Sequence, residues 1–174
     1  MRKKLEELIA EYGICEYRIV QTSEIVFSKN VRLLAEQEVK EQGASSWSMP
    51  PAVGSFEECQ KRCKNYQLAL LFSTIYPVDD VANIEAWAMA GVEHNKVTLQ
   101  MAKEVGEDCL PLGIRCRRCA KCGWPNEECR HKESMLPSTE SYGIHIMETM
   151  EKHGITGFYD SQTVVCFGIL FFNE

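Results

Sequence analysis

At 174 residues the chain is long enough to bury roughly 70% of its unfolded surface in a core of its own, without disulfide staples. Hydrophobic residues make up 45% and charged residues 25%, which excludes the disordered and fibrous classes. With 25 acidic against 19 basic residues the net charge is −6, and this argues against a broad nucleic-acid-binding face, which needs clustered Lys and Arg to displace counterions from phosphates.

The N-terminus, Met1-Arg-Lys-Lys, is basic but leads into no apolar signal-peptide core. Leu5, Leu8, Ile9 and Tyr12 recur at helical spacing with Glu6 and Glu7 between them, and Gly13 stands where a helix would end. No run approaches the ~18 apolar residues of a membrane span, so the expectation is a cytosolic (cytoplasmic) protein with no membrane partner. Cys15 to Phe27, with Tyr17, Ile19, Val20, Ile25 and Val26, predicts one or two short strands. Asn30 to Gln42 carries Val31, Leu34, Ala35 and Val39 and predicts a short helix. Gly43 to Val53 is a loop, because Pro51 restricts Pro50 to extended geometry.

Ser55-Phe-Glu-Glu58 is a capping-box pattern opening a helix to about Tyr66. Leu68 to Tyr76 is a near-continuous apolar run ending at Pro77, as a buried strand would be. A long helix follows, capped by Asp79 or Asp80 and stopped by Gly106, with a stripe of Ile84, Trp87, Ala88, Gly91, Val92, Leu99 and Ala102. Cys109 to Ile114 predicts a strand. Pro137-Ser138-Thr139 starts a helix carrying Tyr142, Ile146, Met147 and Met150, ended by Gly154, and Thr163 to Phe172 is the strongest strand pattern. Strands and helices mix without a strict βαβ rhythm. The expectation is an α+β (or α/β) fold, a single domain over 1–174 whose central sheet is covered by helices.

The chemistry concentrates in the cysteines. In a reducing compartment clustered thiols read as metal ligands rather than disulfides. Four of the nine fall in Cys116-Arg-Arg-Cys119-Ala-Lys-Cys122-Gly-Trp-Pro-Asn-Glu-Glu-Cys129, a C-x2-C-x2-C-x6-C spacing. A [4Fe–4S] cluster needs four thiolate corners, and a C-x2-C-x2-C turn lets three close neighbours wrap one cluster. Zinc sites more often use two separated C-x2-C pairs, so the packed third cysteine favours iron–sulfur, with zinc as the alternative. Arg115, Arg117, Arg118 and Lys121 bring positive charge that would lower thiol pKa values, and Trp124 could shield the metal. Cys129 is the natural fourth ligand, and Cys109 and His131 are close enough in sequence to replace it.

From about Val31 to Leu170 the chain resembles small cysteine-rich proteins of bacteria and archaea labelled predicted metal-binding proteins, a domain of unknown function. The likeness rests on Val31-Arg-Leu, Trp47-Ser-Met-Pro-Pro51 with Val53-Gly54, Glu57-Glu58-Cys59, Ala69-Leu-Leu-Phe72, the cysteine motif running into Arg130, Pro137-Ser138, and Ser141-Tyr142-Gly143-Ile144. The resemblance implies metal binding without an assigned reaction. It also implies an earlier cysteine set, C-x4-C-x8-C-P-P, whose positions here hold Ala35, Lys40 and Met49 before a retained Pro50-Pro51. None of the three can supply a thiolate. Either a separate early cluster has been lost and the later one kept, which is the favoured reading because four later thiols suffice, or a site shared by both sets is compromised.

Cys59 and Cys63 share a helical face with Phe56 and read as packing, Cys166 lies inside a strand, and Cys15 carries no signal. His94, His145 and His153 form no ligand pattern, and Arg130, His131 and Lys132 read as a solvated basic turn. No phosphate loop, nucleophile elbow or paired-carboxylate signature is present. The leading reading is an iron–sulfur protein with a redox or electron-transfer accessory role and a redox partner protein. A structural zinc module, or an enzyme whose pocket borders the metal loop, are the alternatives.

Overall fold

The two longest apolar runs of the chain pair with one another at the centre of a sheet. The computed structural model describes residues 2–42, 45–106 and 108–173. Among them the elements in chain order are α1 (Arg2–Glu11), β1 (Glu16–Gln21), α2 (Lys29–Gln42), α3 (Phe56–Lys64), β2 (Leu68–Pro77), α4 (Ile84–Val105), β3 (Cys109–Leu112), α5 (Ile146–Lys152) and β4 (Thr163–Phe172). The strands lie in the order β1-β2-β4-β3 with every neighbouring pair antiparallel, so the fold is α+β. Leu68 pairs with Phe172 and Pro77 with Thr163, which aligns the two central strands over their whole length. Pro111 falls in β3, an edge strand, where a residue without an N–H is tolerated.

Alternate residues of the central strands feed two cores. Leu71, Val165, Ile169 and Phe171 pack with Cys59 and Cys63 of α3, with Ile144, and with Met150 of α5. Leu70, Phe72, Leu170 and Phe172 pack with Leu5 and Leu8 of α1 and with Met101 and Val105 of α4. A sheet covered on both faces explains why β2 and β4 are apolar without alternation. Cys59, Cys63 and Cys166 are buried as packing residues. The capping box at α3 is formed: Ser55 Oγ accepts from Glu58 N at 3.2 Å, and the Glu58 carboxylate accepts from Ser55 N at 2.7 Å. Gly13 follows α1 in the left-handed region, at φ 64°.

Three expectations are corrected. The helix predicted from Pro137 to Gly154 is two pieces, a 3-10 turn at Glu140–Tyr142 and α5. Between them Gly143 turns left-handed at φ 71°, which delivers Ile144 into the core and into a bridge with Phe27. Tyr142, Ile146 and Met150 recur at helical spacing, but they reach their places on either side of that reversal. The cap of α4 is Asn83, whose Oδ1 accepts from Glu85 N at 2.9 Å and Ala86 N at 3.3 Å, while Asp80 accepts from Ala82 N in the preceding turn. The first half of the α4 stripe is also less buried than its spacing suggests. Ile84, Trp87 and Val92 are exposed, and Leu34 of α2 likewise faces solvent.

Candidate metal centre

The cysteine loop begins where β3 ends, and its stem is held on three sides. Gly113 N donates to Pro137 O at 3.0 Å, and Thr139 N donates to Gly113 O at 3.1 Å. A Cβ on Gly113 would stand 2.6 Å from both Asn95 Oδ1 and a Leu136 methyl, so glycine is required by close approach. Asn95 of α4 then grips the next residue: its Oδ1 accepts from Ile114 N at 2.9 Å and its Nδ2 donates to Ile114 O at 2.7 Å. Arg115 pairs with Glu38 of α2 at 2.8 Å. Cys116 N donates to Ser48 Oγ at 3.3 Å, and Ser48 in turn shares a hydrogen bond with Ser46 at 3.0 Å.

The far half of the loop folds on itself. Glu127 N donates to Gly123 O at 2.8 Å, and a Cβ on Gly123 would meet Glu127 Cβ at 2.9 Å, so the turn between Cys122 and Cys129 closes only around glycine. Trp47 braces it from outside. Its Nε1 donates to Glu127 O at 3.1 Å, and its ring meets Trp124 edge to face with centroids 4.6 Å apart.

Cys116, Cys119, Cys122 and Cys129 line one small cavity together with His131, Ser46, Ser48 and Met135. Cys109 is not among them. Its single S–H is shared between Gly106 O at 3.2 Å and Ala102 O at 3.4 Å, and the side chain packs against the core beneath α4. Burial raises the Cys116 thiol above the ordinary range, a backbone hydrogen bond from Arg118 opposes this, and the thiols of Cys119, Cys129 and Cys122 reinforce it. The expected lowering by basic neighbours is absent at Cys116. Arg117 and Arg118 are exposed although each lines a cavity, and Arg115 is engaged with Glu38.

Among the described residues no three His, Cys, Asp or Glu side chains are gathered tightly enough to hold a metal ion as they stand. The cavity that the four thiols line together is about 30 Å³, and on its open side Cys116, Cys119 and Cys122 also line a wider space of about 600 Å³. Binding either a [4Fe–4S] core or a zinc ion, whose Zn–S bonds are about 2.3 Å, requires the thiol side chains to rearrange from these positions. The donor set suits either group, since four soft thiols surround the space and no carboxylate lines it.

The family model described as "Predicted metal-binding protein (DUF2284)" matches residues 18–172. The chain belongs to this family. Comparison with curated proteins and with solved structures gives no match. Ala35, Lys40 and Met49, the positions where the resemblance places an earlier cysteine set, are spread over a buried cluster and an exposed side chain in this DUF2284 chain. Ala35 and Met49 are buried against each other and Val39 in a small apolar cluster, with Ser138 Oγ directed at Met49 Sδ, while Lys40 is exposed. Met49 directly follows Ser48, the residue that accepts from Cys116 N, so this cluster supports the wall of the later site.

Sequence reading missed Asn95, Ser48, Glu38 and Trp47 as supports of the loop. Trp47 belongs to a quoted motif but had no partner until the fold brought it against Trp124. Among the described residues no helix is long and apolar enough to cross a membrane.

Proposed function

We propose that this member of the family is a cytosolic iron–sulfur protein, in which Cys116, Cys119, Cys122 and Cys129 hold one [4Fe–4S] cluster serving a redox or electron-transfer accessory role. The observation that carries the reading is the convergence of all four motif thiols on one cavity that Cys109 does not reach. The C-x2-C-x2-C spacing favours a cluster over a single ion. When bound, the cluster would supply one-electron chemistry at a potential set by its surroundings. The chain's own part is to hold the thiols and limit water: Asn95 and Ser48 fix the backbone around Cys116, and the Trp47–Trp124 pair covers the Cys122–Cys129 turn. Lys121, Arg117 and Arg118 leave an exposed basic rim beside the thiols, which suits an acidic redox partner protein.

Anaerobic purification followed by iron and acid-labile sulfide analysis and low-temperature EPR tests the proposal. Four irons and four sulfides per chain are expected. Stoichiometric zinc without sulfide, and a colourless protein, would overturn it in favour of a structural zinc module.

A further inference from the structure

A second, larger cavity of about 470 Å³ lies between the exposed half of α4, the 113–117 stem, α5 and the sheet. Its walls include Trp87, Val92, Ile114, Met147, Val165 and Phe167. Trp87, Val92 and Met147 are among the chain's exposed large apolar side chains, so the opening as well as the interior is apolar. That volume falls within the range of small-molecule pockets, roughly 300–1,000 Å³, and exceeds anything a stray water would occupy.

The polar groups on its wall are few and mostly committed. Asn95 spends its carboxamide on the Ile114 backbone, and Arg115 is paired with Glu38. Thr139 is buried, its N–H spent on Gly113 O, and Glu140, an exposed residue, brings a carboxylate to the same wall. Arg117 is different: it lines the cavity, and no hydrogen bond or ion pair occupies its guanidinium among the described residues. A lone uncommitted guanidinium on an apolar wall is complementary to one anionic group carried on an apolar body.

We infer that this cavity binds a small amphipathic anion, its apolar body against Trp87, Val92 and Phe167 and its charged group on Arg117. Arg117 also lines the open side of the cysteine loop and adjoins Cys116, so the ligand's charge would lie beside the metal centre. The assignment does not depend on which metal the loop carries.

Isothermal titration of the anaerobically purified protein with octanoate, octyl phosphate, 1-octanol and octyltrimethylammonium tests it. Saturable binding of one octanoate or octyl phosphate per chain is expected, at least tenfold tighter than 1-octanol or the ammonium. Whichever of the two anions binds tighter identifies the headgroup. Arg117→Gln should weaken the anions about tenfold or more and leave 1-octanol unchanged, which separates the charge contact from cavity filling. Ala88→Trp, which fills the cavity from α4, should abolish binding of all four. If that variant unfolds by circular dichroism, Val92→Trp at the exposed rim serves the same purpose. Failure of both anions to bind, equal affinity for anion and cation, or an anion preference that survives Arg117→Gln would each overturn the assignment. Metal content, measured on the same samples, reports separately on the cluster.

Discussion

Asn95 and Ile114 form a two-point clamp: one carboxamide of α4 satisfies both the N–H and the C=O of a loop residue two positions before Cys116, at 2.9 and 2.7 Å. The clamp ties the metal loop to the longest helix. Asn95→Leu leaves both backbone groups unpaired and should cost about 1–3 kcal/mol in urea unfolding. Asn95→Asp keeps the acceptor and loses the donor, so it should fall between. Both should retain the helix signal in circular dichroism but lose metal faster to a chelator than the parent protein, and unchanged chelation rates would argue that the clamp does not position the loop.

The four loop cysteines and Cys109 should separate cleanly under substitution. Serine at 116, 119 or 122 removes a corner thiolate and should lower bound metal to a small fraction of the parent value. Cys109→Ser should retain it, because that side chain only donates to the carbonyls of Ala102 and Gly106, a role a hydroxyl can take over. Cys129 is tested against His131, which shares its cavity. Cys129→Ser should lose metal with His131 intact, and His131→Ala should not.

His94 is the clearest source of acid sensitivity. It is wholly buried, stacked on Phe72 with ring centroids 5.5 Å apart, and its Nδ1 lies 2.7 Å from Thr74 Oγ1. Burial lowers its pKa to about 4, with a backbone hydrogen bond to Phe167 opposing the shift. The unfolded chain titrates near 6.5, so between there and about 4 it binds protons the folded form refuses. Stability is therefore full above pH 6.5 and falls as the pH drops through that window, by a total on the order of 3 kcal/mol. Urea unfolding at a series of pH values measures the slope, and His94→Gln should flatten it between pH 6.5 and 4.

The parts of this fold that could be read directly were those whose reason is local. The capping box at Ser55 needs only residues three apart, and β2 and β4 announce themselves because both faces are covered. The break at Gly143 was hidden because Tyr142, Ile146 and Met150 keep helical spacing across it. The exposed stripe on α4 was misread for a related reason: Trp87 and Val92 are apolar because they line a cavity, which hydrophobic periodicity cannot distinguish from a core. At the candidate metal centre, spacing alone grouped the four cysteines that line one cavity. Their supports were not legible, since Glu38 pairs with Arg115 and Trp47 with Glu127 across long stretches of chain, and no local pattern encodes those contacts.

Trp47 makes the last case. Its indole N–H is bonded to the Glu127 carbonyl and its ring rests against Trp124, so one side chain holds both the backbone and the cover of the Cys122–Cys129 turn. Trp47→Phe keeps an aromatic face but loses the hydrogen bond, worth about 0.5–1.5 kcal/mol, while Trp47→Ala also loses an aromatic contact of about 0.5–1.5 kcal/mol. The effect should be local, because Trp47 lies in neither of the two cores that sandwich the sheet. Global unfolding should therefore shift by no more than those contacts, while bound metal is lost to air and chelator several-fold faster in Trp47→Ala, with Trp47→Phe intermediate. Equal loss rates in all three proteins would mean that the turn holds itself closed through Gly123 and Glu127 alone.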